Sequence, residues 1–161
     1  EGNRMIKRMT QMGFGLIAVV GFAATVQAAP AKFNHSGIQK GKVIETCYHS
    51  PCSVAKFVSY KQLNKTATES KIQVTLLGGS REWEAKKIDW NRSPHKVTVN
   101  CSYKRPTVQI GSQKTLIPLN DGLGVPGVLM VDAELYLYAC HKFEGAIEDA
   151  VQKYGYNVYD E

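Results

Sequence analysis

Cys47, Cys52, Cys101 and Cys140 are the residues of this chain best placed by type and spacing to do chemistry. A thiolate can ligate a metal, attack as a nucleophile or pair into a disulfide, and spacing helps to tell these apart. Cys47 and Cys52 stand as C-x4-C around Tyr48-His49-Ser50-Pro51. A thioredoxin-type redox pair needs C-x-x-C in a βαβ setting, and neither is found. Zinc sites usually bring paired ligands such as C-x2-C with H-x3-5-H. His49 and His141 each lie beside a cysteine, but together with His35 and His95 they make no such spacing. A metal site joining Cys47, His49, Cys52, Cys140 and His141 is the sharp alternative to ordinary loop histidines, and the spacing favours the ordinary ones. Three pairings are open to four cysteines. Cys47–Cys52 would close a short loop, and Cys101–Cys140 would staple a strand to a helix through two inward-facing positions. The crossed arrangement, Cys47–Cys140 with Cys52–Cys101, is the rival.

Other chemistries fare less well. The chain has no G-x-S-x-G nucleophile elbow. Glu82 and Glu84 share one face of a predicted strand near Asp89, as a glycosidase carboxylate pair would need. A charged strand face turned to solvent is the commoner explanation. Gly122–Gly127 lacks the lysine and hydroxyl of a phosphate loop. No catalytic residue, cofactor or metal is therefore assigned, and the chain reads as leaning away from enzymes. Aromatic residues remain. Tyr138, Tyr156 and Tyr159 form the expected surface cluster, with Tyr48 and His49 of the cysteine loop as further candidates for a binding surface, since exposed tyrosines are frequent interface anchors.

The location of these residues is read from the start of the chain. Met5-Ile6-Lys7-Arg8 opens with two positive charges, Gly13 to Val26 is an uncharged and mostly apolar run, and Val26-Gln27-Ala28 supplies an A-x-A-like exit. That is the pattern of a secretory signal peptide. The run of 14 residues is shorter than the about 20 that a membrane span needs. The expectation is an upstream remnant over 1–4, a cleaved signal peptide over 5–28, a flexible lead-in over 29–42 and one globular domain over 43–161. The leader pattern reads as bacterial, and even cysteine usage agrees with an exported, periplasmic or secreted protein. No stable membrane insertion is expected after cleavage.

Net charge is +6 for the chain, and removal of residues 1–28 leaves 17 basic against 13 acidic residues, a net of +4. These charges are scattered rather than gathered into a stripe, which argues against a nucleic-acid partner.

The elements that must hold the cysteines are legible in outline. Val97, Val99, Cys101 and Tyr103 alternate with polar residues, marking a half-buried strand that Pro106 stops. Val54 to Leu63 is rich in strand formers. Residues 71–90 read as a hairpin with Gly78-Gly79-Ser80 as its turn, and a parity switch between Trp83 and Ile88 predicts a bulge near Lys86-Lys87. Thr107–Ile110 and Thr115–Leu119 read as a second hairpin around Gly111-Ser112. Beyond the Gly-rich segment Asn120–Gly127, the apolar spacing from Leu129 to Tyr154 predicts a helix over about 128–154, kinked or broken at Gly145 and ended by Gly155. Tyr136 and Tyr154 fall on its core stripe and Tyr138 off it.

The fold class is α+β: an antiparallel sheet of five to seven strands packed against a C-terminal helix or helix pair and stapled by disulfides. On such a scaffold, with export and no catalytic constellation, the reading is a non-enzymatic binding or inhibitor module acting on a protein or cell-envelope component through loops 48–51, 78–81 and 120–127. A hydrolase or thiol-redox enzyme, and a self-associating envelope protein, are the alternatives.

Overall fold

Alternation along the central strands builds the molecule. In the computed structural model, which describes residues 30–159, seven strands form one antiparallel sheet. The expected leader over 5–28 lies outside the described residues. The strands are β1 (Val43–Thr46), β2 (Cys52–Lys65), β3 (Glu69–Arg81), β4 (Asp89–Trp90), β5 (His95–Ser102), β6 (Thr107–Ile110) and β7 (Gln113–Leu116). Their order is β1-β2-β3-β5-β6-β7, with β4 paired to the end of β3. Ile72, Val74 and Leu76 of β3 and Val97, Val99 and Cys101 of β5 all point to the same face and are fully buried there. The intervening Lys71, Gln73, Thr98 and Asn100 face the other way, as period-two geometry requires.

Two helices cover the apolar face: α1 (Met130–His141) and α2 (Ile147–Tyr154). The predicted helix is thus broken, over residues 142–146, which include Gly145. Lys142 ends α1 in the left-handed conformation at φ 55°, and its N–H donates to the Tyr138 carbonyl at 2.9 Å. Gly155, at φ 70°, ends α2, a backbone state that costs glycine nothing. Seven of the 12 residues of α1 are buried, including both parities from Leu135 to Cys140. A helix enclosed on nearly every side shows no clean stripe, which is why the same residues also alternate like a strand.

Both favoured disulfides are formed, Cys47–Cys52 and Cys101–Cys140, the latter across a Cα separation of 5.7 Å between β5 and α1. The crossed pairing is excluded.

The structure corrects the expected hairpin. Gly78, Gly79 and Ser80 lie inside β3, not in a turn, and the true β2–β3 turn spans residues 66–68. Residues 82–88 are loop, and the register irregularities fall in β2, between Phe57 and Ser59 and between Gln62 and Asn64, rather than at Lys86-Lys87. Gly79 is needed for proximity: a Cβ there would stand 2.8 Å from the Asp89 carbonyl oxygen and 3.0 Å from the Trp90 ring. Turn chemistry and close approach both select glycine, and only the pairing of β4 decides between them.

The segment expected as a loose lead-in is packed instead. His35 and Ile38 are buried, Asn34 N–H donates to the Cys140 carbonyl at 2.9 Å, and the Tyr138 hydroxyl donates to the Gly37 carbonyl at 2.5 Å. The tail is tied down likewise, with Val158 N–H donating to the Leu119 carbonyl at 2.8 Å.

Candidate functional site

The Cys47–Cys52 hexapeptide is the loop of the β1–β2 hairpin, closed at its base by the disulfide where Thr46 pairs with Ser53. Cys52 is wholly buried at the start of β2, while Tyr48, His49, Ser50 and Pro51 are exposed. Ser50 donates its hydroxyl to the Glu82 carboxylate at 2.6 Å and accepts from the Trp83 N–H at 3.4 Å. Arg81 strengthens the same junction. Its guanidinium pairs with Glu45 and donates to the Ala85 carbonyl at 2.7 Å, tying the 82–88 loop to β1. On the other side the Tyr48 ring lies against Gly127. Three loops are therefore joined at one end of the sheet.

That end carries large apolar groups in water. Tyr48 is 64% exposed, Trp83 57% and Val128 87%. A disulfide, an ion pair and side-chain hydrogen bonds hold the backbones of the loops that carry Tyr48 and Trp83, so binding through these two would order little backbone. Loops 48–51 and 120–127 occur here as expected. The expected 78–81 loop is strand, and the adjacent 82–88 loop stands in its place.

Of the tyrosines expected on the surface, Tyr159 is 45% exposed and sits beside Gly122. Tyr138 and Tyr156 are not on the surface: each is only 3% exposed. Tyr138 lies under the packed 33–38 segment and against Phe57, at a ring distance of 5.1 Å. Tyr156 belongs to an internal hydrogen-bonded chain. Its hydroxyl lies 2.7 Å from His141 Nε2 and 2.9 Å from the Tyr136 hydroxyl, which in turn accepts from Ser102 N–H and donates to the Ser102 carbonyl. Burial raises Tyr136 and Tyr156 far above the ordinary phenol range. Burial, with His35 and Lys153 nearby, pushes His141 down to about 4. This chain fastens the tail to the sheet through fully paired polar groups.

The remaining candidates separate in space. Glu82 and Glu84 do not share a strand face: both are in the loop after β3, Glu82 is engaged by Ser50, and Glu84 has φ 66°. His35 is fixed between the Ala139 carbonyl and the Ser70 hydroxyl, at 2.8 and 2.7 Å. His49 and His95 are exposed. Among the described residues, the metal-ligating atoms that cluster are those of Glu45, Cys47 and Cys52, and both sulfurs are spent in the disulfide. A Cys47–His49–Cys52–Cys140–His141 site is not assembled, since Cys140 is bonded to Cys101 in the core.

Comparison with protein-family models, with curated proteins and with solved structures finds no match. Both disulfides are compatible with an exported protein, and no helix of the described residues is long and apolar enough to cross a membrane. The loop end gathers Tyr48, Trp83 and Val128 as exposed apolar side chains.

Sequence reasoning found the cysteine loop but missed Trp83 and Val128 as its neighbours. Trp83 lies in the 71–90 segment that reads as a hairpin, whereas residues 82–88 are loop. Val128 was assigned to the helix, whose first regular turn instead begins at Met130, after a 3-10 turn over Gly127–Leu129.

Proposed function

We propose that this chain is a non-enzymatic binding module of the periplasm or extracellular space, and that it engages a protein or cell-envelope component through the end formed by loops 47–52, 82–88 and 120–128. The observation that carries this reading is Tyr48: a large aromatic side chain, mostly exposed, on a hairpin loop clamped by a disulfide at its base and by contacts on both flanks. Affinity at interfaces concentrates in a few such aromatic anchors presented without a large ordering cost. Export is part of the proposal. It requires that residues 5–28 be removed, so the chain recovered from outside the cytoplasm should begin at Ala29 by N-terminal sequencing.

Site-specific photo-cross-linking tests the binding end. A cross-linker at Tyr48 should trap a discrete macromolecular partner in the exporting cell, and Trp83→Ala should abolish that product. The same cross-linker at Lys114, on β7 away from the loops, should not trap it. Equal labelling from both positions would refute the assignment.

A further inference from the structure

A second concavity lies away from the loop end. It has a volume of about 510 Å³ and is walled by the 30–33 segment, the β2–β3 turn and the chain leaving β5. Small-molecule pockets typically occupy about 300–1,000 Å³. Phe33 and Tyr103 are part of its lining, stacked at a ring distance of 4.9 Å with an interplanar angle of 23°.

Four of the lining hydroxyls are already engaged. The Tyr103 hydroxyl donates to the Ala31 carbonyl at 2.7 Å, and Ser70 is bonded to His35. Ser102 Oγ accepts from the Lys104 and Arg105 N–H groups, and Thr66 Oγ1 accepts from the Thr68 and Glu69 N–H groups. A ligand seated there would find aromatic and methyl surface and no unpaired side-chain hydroxyl among these four. A ligand body lying against Phe33 and Tyr103 is therefore best apolar, because a buried polar group without a partner is penalised.

Lys32, Lys65 and Lys104 also line the cavity, all exposed, and none of them is in an ion pair among the described residues. Glu69 is the acidic residue of the lining, so the charged lining side chains sum to +2. We infer that this cavity binds an amphipathic anion, with an apolar body against Phe33 and Tyr103 and a single carboxylate held among Lys32, Lys65 and Lys104, the chemistry of a fatty-acid-like monocarboxylate. This site is independent of the loop end and of the function proposed for it.

Calorimetric titration of the purified protein with dodecanoate, dodecanol and dodecyltrimethylammonium, each kept below micelle formation, tests it. Dodecanoate should bind saturably, and the cation at least about tenfold more weakly, a difference of about 1.4 kcal/mol. Amide chemical-shift changes should centre on Phe33, Ala67 and Tyr103. The double variant Lys65→Gln/Lys104→Gln should weaken dodecanoate at least about tenfold and leave dodecanol unchanged. Lys65→Glu/Lys104→Glu should reverse the preference toward the cation. Because these lysines are exposed, both variants should keep the parent's thermal midpoint. Tyr48→Ala should leave all three titrations unaltered. No saturable binding, equal affinity for the three amphiphiles, or shifts centred elsewhere would overturn the assignment.

Discussion

The ring of Tyr48 covers Gly127 so closely that a Cβ at position 127 would stand 2.3 Å from Tyr48 Cζ. A hairpin loop and the entrance to the first helix thus share one contact that only glycine permits. The neighbour is the side chain of an exposed loop residue, so a bulkier residue would swing the ring aside rather than disrupt the core. Gly127→Ala should therefore cost little stability, about 0.5–1 kcal/mol, while abolishing nuclear Overhauser contacts between the Tyr48 ring and position 127. It should also reduce partner cross-linking from the loop end. An unmoved Tyr48 ring in that variant would contradict the packing described.

The two disulfides should differ in what they support. Cys101–Cys140 spans a sequence separation of 39 and joins β5 to α1 through the core, whereas Cys47–Cys52 spans 5. In the chain-entropy description, loss of the long link costs about 3–4 kcal/mol and loss of the short one about 2 kcal/mol. Denaturant unfolding of Cys101→Ala/Cys140→Ala and of Cys47→Ser/Cys52→Ser should rank them in that order. Partner capture should be the more sensitive to the second pair.

Tyr136 provides a sharper test of the core. Its hydroxyl satisfies both backbone groups of Ser102 and meets the Tyr156 hydroxyl. Tyr136→Phe keeps the ring but leaves the buried Ser102 N–H and carbonyl without that partner. A loss of about 1–3 kcal/mol is expected from chemical denaturation. Tyr159→Phe, at an exposed ring, should fall within about 0.5 kcal/mol of the parent.

His141 should give the fold an acid-sensitive component. Its folded value of about 4 lies below the ordinary histidine value of 6.5, through burial first and then through His35 and Lys153. The group is packed neutral against Tyr154, at a ring distance of 3.9 Å, and Tyr156. A depressed histidine contributes stability that is complete above pH 6.5 and is lost as pH falls through about 4. Allowing for partial solvent access, the contribution is about 1–3 kcal/mol. Asp132 and Glu134 act in the opposite sense, since burial raises both. The comparison is therefore made between the parent and His141→Gln, whose stability should fall less steeply between pH 6.5 and 4. Parallel pH profiles would remove His141 from the account.

Much of this architecture could be read before folding was considered. Strict alternation over Val97–Tyr103 defined β5 and turned Cys101 inward, and the 3- and 4-residue spacing through Cys140 turned that cysteine toward the same core. Those two periodicities favoured their pairing, and the structure excludes the crossed arrangement. The failures share one cause. Gly78-Gly79-Ser80 has the composition of a turn, but tertiary pairing uses the glycines to let β4 approach β3. Tyr138 lies off the helical stripe, yet it is buried because residues 33–38 pack over the side of α1 that would otherwise face water.

Local sequence thus determined the periods, the inward positions of Cys101 and Cys140, and the break between the two C-terminal helices near Gly145. It could not decide which segment would cover each remaining face, because covering is a contact between residues far apart in the chain. Tyr138 meets Gly37, Tyr48 meets Gly127, and Ser50 meets Glu82 only when the sheet, the helices and the two ends of the domain are docked together. Which tyrosines became core and which remained at the loop end was settled there, by long-range burial rather than by period.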